Sequence, residues 1–216
     1  MERSSYSLKA LAGISVLVIL HAVGLAGFAL PSWEGLFQSL VPVHLLLSTL
    51  LLLAFHQKWS WRFGLTASGI AAGGWFVEYI GVQSNALFGA YQYTDVLGVS
   101  IGGVPLMMAI NWLMLIYGVG AIVQRLPWPL IGRVLLGGML MLILDVALEH
   151  FAIAHKLWIW HGDKVPLKNY IAWFFISCLF IWQMLTCSRL LDNPLALPLI
   201  VIQGLFFYCG WLAGIW

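Results

Sequence analysis

The chain has 216 residues, 62% of them hydrophobic and only 8% charged, against roughly 45–50% apolar and about 25% charged in an ordinary soluble domain. That balance excludes a water-soluble globular protein, and a net charge of +2 with no basic stretch excludes a nucleic-acid surface. What remains is an integral membrane protein.

The first apolar window, Leu8 to Leu30, follows Arg3 and Lys9 as a signal peptide would, and Gly27-Phe28-Ala29 has the small residues of a cleavage site. Its apolar stretch is too long for a secretory core of about 7–15 residues, so a retained helix is expected. Six more windows follow: Leu36 to Phe55, Phe63 to Val82, Ile101 to Val123, Val134 to Ala154, Tyr170 to Cys187 and Leu195 to Trp216. Each holds about 20 residues, enough to cross a hydrocarbon core of about 30 Å. Unbroken apolar runs predict helices rather than the alternation of a β-barrel. The expected fold is therefore all-α, a bundle of about seven transmembrane helices forming one transmembrane domain over residues 1–216.

Lys and Arg in the flanks set the orientation. Arg3, Lys9, Lys58, Arg62, Arg125, Arg133 and Arg189 fall on one side, and Lys156, Lys164 and Lys168 on the other. The N-terminus is expected to be cytoplasmic, in a multi-pass protein of the cytoplasmic membrane. Cys178, Cys187 and Cys209 lie in or at the ends of apolar windows without C-x-x-C spacing and read as reduced packing residues.

The acidic residues are less ordinary. Glu78 lies 16 residues beyond Arg62 and Glu149 lies 16 beyond Arg133, about 24 Å along each helix. Asp145 is one turn deeper and shares a face with Glu149. Asn111, 14 residues before Arg125 on a helix of opposite direction, comes to a similar level at about 21 Å. A carboxylate near mid-membrane costs about 2.5–3.5 kcal/mol and usually marks function. No cation sits in the middle of any window to neutralise these three, and an unpaired carboxyl in apolar surroundings favours its protonated form, a proton donor. Hydrogen bonding between helices is the competing, purely structural reading of Asp145, Glu149 and Asn111.

Two connections are expected to cover this cluster. The stretch EYIGVQSNALFGAYQYTDVLG supplies Tyr91, Tyr93 and Asp95, and AHKLWIWHGDKVPLKNY supplies Trp158, Trp160, His161, Asn169 and Tyr170. Each aromatic taken singly also suits an interfacial belt.

The strings EYIGV, FGAYQYTDVLG, GVPLMMAINW, LDVALEH and VPLKNYIAWFF, in that order from about Trp75 to Ser177, resemble the carotenoid biosynthesis family of integral membrane hydratases. The core carrying these motifs is residues 75–177. Departures are Ser84-Asn85 where the family has Thr-Gly, Leu87 for a frequent Pro, and His150 for the Pro after the glutamate, which adds a titratable group beside Glu149. The resemblance implies a hydro-lyase adding water to the terminal C1=C2 double bond of an acyclic carotenoid end group, with no metal and no redox cofactor. Asp145, Glu149 and Glu78 would share the acid and base roles, Asp145 being the first choice of donor. Asn111, Tyr91, Tyr93, Asp95, Trp112, Asn169 and Trp173 would position water or face a carbocation. The expected partners are a hydrophobic carotenoid and the lipid bilayer. Nothing in the chain fixes an oligomeric state.

Rival readings stay open. A lycopene-cyclase-like membrane enzyme begins with the same protonation, although Leu106 and Met107 stand after Pro105 where small cyclases place acids. A di-iron hydroxylase needs H-x-x-x-H or H-x-x-H-H spacing, which His21, His44, His56, His150, His155 and His161 do not offer. A retinal protein needs a lysine in the last window, which has none. A transporter or proton-relay protein could also use an Asp-Glu pair, although no inverted repeat is apparent.

Overall fold

A computed structural model describes residues 2–162, 164–188 and 191–216; Arg189, counted above among the basic flanks, lies outside the described residues. Seven helices occur among them: α1 (Glu2–Phe28), α2 (Glu34–Ala54), α3 (Trp61–Ser84), α4 (Met107–Val123), α5 (Leu130–Ala154), α6 (Leu167–Cys187) and α7 (Ala196–Leu212). Local chemistry explains their ends. The Ser60 hydroxyl accepts the Phe63 N–H at 3.1 Å to start α3, and Asn85, at φ 55°, ends it in the left-handed conformation that asparagine tolerates. Pro129 and Pro166 stand immediately before α5 and α6, where a missing N–H costs no helical bond.

By length and composition, Leu8–Phe28, Glu34–Ala54, Leu130–Ala154 and Leu167–Cys187 can cross a membrane. The shorter apolar helices α4 and α7 have 17 residues each, about 25 Å at 1.5 Å per residue. Helix α3 has the length, but Arg62, Glu78 and its glycines make it less apolar. The sequence window beginning at Ile101 is shortened in the structure, because Ser100–Ile101 (β2) and Val104–Pro105 (β3) form a small hairpin before α4. Gly102 and Gly103, at φ 58° and 81°, make its turn, and both are conformations a side chain disfavours.

Connections alternate between two ends of the bundle. At one end the Gln57 N–H donates to Asp192 O at 3.2 Å and Arg125 Nη2 donates to Asn193 O at 3.1 Å. At the other, Gln38 Nε2 donates to His155 O at 3.2 Å, and His155 Nδ1 meets Glu34 Oε1 at 2.9 Å. Helix α4 occupies the middle: Met108 and every residue from Asn111 to Ala121 are buried, and it packs on α2, α3, α5, α6 and α7. A helix apolar all round suits such an enclosed position as well as it suits lipid. It approaches α3 closely at Gly74, where a β-carbon would collide with the Trp112 side chain.

Candidate functional site

Over the second end, Tyr91–Tyr93 (β1) pairs antiparallel with Trp158–Trp160 (β4), placing Tyr91 opposite Trp160 and Tyr93 opposite Trp158. Alternation along each strand sends these four rings to one face, while Gln92 and Ile159 point away and are exposed. The ribbon is therefore a lid with four polar donors on its underside.

Each donor finds a carboxylate. Tyr91 and Tyr93 hydroxyls donate to Glu78 Oε2 at 2.6 and 2.8 Å, and Trp112 Nε1 donates to Glu78 Oε1 at 3.0 Å. Trp158 and Trp160 indoles both donate to Glu149 Oε2, at 3.1 and 3.0 Å. Burial, and after it the charge of Glu78, holds both tyrosine hydroxyls protonated far above the usual phenol range, so they remain donors. Asn169 Nδ2 donates to Asp145 Oδ2 at 3.1 Å, whereas Asp145 Oδ1 is buried with no hydrogen-bond partner among the described residues.

Glu78, Glu149, Tyr91, Tyr93, Trp158, Trp160 and Asn169 line a cavity of about 20 Å³, closed by Phe88, Met108 and Trp173. A water molecule needs roughly 10–15 Å³ of such space and two to four polar partners, so this pocket suits one. Asp145 adjoins it through Asn169. Trp173 stacks on Trp112 with ring centres 4.3 Å apart. On the other side of Met108 and Trp158 lies a second, largely apolar cavity of about 440 Å³.

The structure thus gathers Glu78, Glu149, Asp145, Tyr91, Tyr93, Trp112, Asn169 and Trp173. Trp158 and Trp160, whose residue type alone fits an aromatic belt, are carboxylate ligands. Two expected residues, and His150 beside Glu149 in the sequence, lie elsewhere. Asn111 lines the larger cavity. Asp95 is exposed in a 3-10 turn (Asp95–Leu97) whose first residues are shaped by Thr94, so it does not join the cluster. His150 donates from Nδ1 to Val146 O at 2.9 Å and lays its ring against Trp211, away from Glu149. Phe88 and Met108 are site residues that sequence reasoning passed over, since apolar residues next to apolar windows carry no signal of their own. His21 and His44, weighed only as metal ligands, and Gln203, which sequence reasoning missed, are polar residues inside apolar windows, the very feature that singled out the acids.

Apolar helices of membrane length around a buried carboxyl cluster define a helical membrane protein whose interior can take an apolar ligand. Residues 40–212 match the family model of carotenoid biosynthesis proteins, and the chain belongs to that family. The match extends beyond the motif core into most of α2 and all of α7, which read as generic apolar sequence. No curated protein and no solved structure matches the chain. Family membership gives it a role in carotenoid biosynthesis.

Proposed function

We propose that the protein is a carotenoid hydratase of the cytoplasmic membrane, adding water to the terminal C1=C2 double bond of an acyclic carotenoid end group. One observation carries this reading: a polar pocket of single-water size shares Met108 and Trp158 with an apolar cavity large enough for a hydrocarbon end. Hydration needs both compartments side by side.

The chemistry follows from the donor arrangement. Two carboxyls one helical turn apart in apolar surroundings hold a proton between them. Asp145 gives it to C2, breaking its O–H bond and forming C2–H, and the positive charge develops on the tertiary C1. Glu149, whose Oε2 is held by two indole N–H groups, accepts a proton from water as the water oxygen bonds to C1. The pair ends with the same number of protons as it began. Glu78, held by three donors, and the Trp112–Trp173 stack face the cation.

Expression in cells that accumulate lycopene or γ-carotene, followed by mass spectrometry of the pigment, tests the reading. A gain of one water supports it. Unchanged mass with altered retention and absorption points to cyclisation, and an unaltered pigment removes both.

A further inference from the structure

The 440 Å³ cavity lies between α1, α2, α4, α5 and α7, outside the carboxyl pocket. It opens between α1 and α2, because Ile19, Val23, Val43 and Leu47 line it while remaining 45–59% exposed on the outer surface. Both helices are apolar and long enough to cross a membrane, so this opening faces hydrocarbon.

Inside, four neutral polar side chains interrupt the apolar wall, each from a different helix: His21, His44, Asn111 and Gln203. Their proton positions follow from their neighbours. Leu17 O can only accept, so His21 Nδ1, at 2.9 Å, carries a hydrogen and its Nε2 is the acceptor. That nitrogen receives the Nε2 hydrogen of His44 at 3.4 Å, which leaves Nδ1 of a neutral His44 as an acceptor. Gln203 is 4% exposed, and its Oε1 has no hydrogen-bond partner among the described residues. Its Nε2 meets the Met114 sulfur at 3.9 Å, its one hydrogen-bond partner among the described residues. Met114 is one turn from Asn111, and Phe206, one turn from Gln203, meets the His21 ring edge-on at 6.0 Å. His21 and His44 are thus in contact, and all four groups line the one cavity.

We propose that this cavity binds an uncharged isoprenoid alcohol, its chain against the apolar wall and its hydroxyl held by the neutral polar set, with Gln203 Oε1 as the principal acceptor. An unpartnered buried amide oxygen is costly, and a hydroxyl satisfies it. Among the described residues no Lys or Arg lines the cavity, so a diphosphate finds no counter-charge and is rejected. The inference rests on the proposed reaction for the origin of the alcohol, since hydration of a terminal alkene makes a tertiary one.

The test is equilibrium binding to the full chain in lipid nanodiscs, using radiolabelled geranyllinalool, the hydrocarbon of the same skeleton without the hydroxyl, and geranylgeranyl diphosphate. The tertiary alcohol should bind about five- to tenfold tighter than the hydrocarbon, the range one neutral hydrogen bond supplies, and the diphosphate weakest. Gln203→Met, which keeps the side-chain length, should remove the preference while leaving hydrocarbon affinity unchanged; His44→Phe should reduce it. Equal affinity of alcohol and hydrocarbon, tightest binding of the diphosphate, or a preference that survives Gln203→Met would overturn the proposal. Asp145→Asn should keep the preference while losing turnover. A preference in a protein that hydrates nothing would retain the binding site and discard the reaction.

Discussion

Tyr91 and Trp160 face each other across the β1–β4 ribbon with ring centres 5.0 Å apart, yet they bind carboxylates on different helices, Glu78 on α3 and Glu149 on α5. The lid is thereby fastened to two walls of the pocket it covers. Because the same hydrogen bonds hold the two carboxyl groups and fix the lid, the geometry of the pocket and the stability of this end of the bundle are one property.

If Asp145 and Glu149 exchange a proton as a unit, their effects will not add. Asp145→Asn and Glu149→Gln should each lower pigment hydration by roughly 10²–10⁴-fold, and the double variant should be within about tenfold of the worse single one. Product quantified per mole of folded protein checks this. Multiplicative losses would show the two acting separately.

Removing a lid fastener should be felt as stability. Tyr91→Phe leaves the ring and takes away the 2.6 Å bond to Glu78, with an expected cost of about 1–3 kcal/mol for leaving a buried carboxyl one donor short. In a Glu78→Gln background the same change should cost less than half as much. Unfolding of the four variants in detergent gives the coupling, and a value near zero would mean that the hydroxyl does not hold the lid.

Close packing of α3 on α4 predicts a contrast between two glycines of one helix. Gly74→Ala drives a β-carbon into Trp112, the residue that donates to Glu78, and should destabilise by about 1–3 kcal/mol and impair hydration. Gly64→Ala meets nothing within 4 Å and should be neutral or stabilising by up to about 1 kcal/mol, since alanine is the better helix former. Thermal unfolding of the two variants measures the difference.

His56, just past the end of α2, predicts acid sensitivity. Its ring stacks on Phe63 at 3.9 Å and its Nδ1 meets Tyr117 Oη at 2.6 Å. Burial lowers its pKa from the usual value near 6.5, opposed in part by a bond to the Lys58 backbone and by the charge of Asp192. The unfolded chain then takes up the proton at a higher pH than the folded one. The stabilisation from neutral His56 is fully present above about pH 6.5 and is lost as pH falls through the folded value. Melting temperatures from pH 8 to 5 should diverge between wild type and His56→Asn above pH 6.5 and converge below it; parallel curves would contradict this.

Much of this protein was legible from its residues one at a time. Apolar windows determined seven helices, because the period and length of a hydrophobic run constrain a segment locally, and the cost of a carboxyl among apolar neighbours marked Glu78, Asp145 and Glu149 before any fold was known. The start of α4 is not legible in the sequence, because Ile101 and Val104 are as apolar in a hairpin as in a helix, and the Gly102-Gly103 turn, not hydropathy, decides between them. Tertiary structure alone decided which partners the carboxyls have. Trp158 and Trp160 become ligands of Glu149 through a strand pairing between connections more than 60 residues apart. Asp95 falls outside because a 3-10 turn rotates it to the surface. His21 and His44, 23 residues apart, meet only when α1 and α2 pack side by side around a cavity that no single helix contains. Residue type and spacing fix what a segment can be, whereas a pocket is a relation among segments, set by which faces pack together.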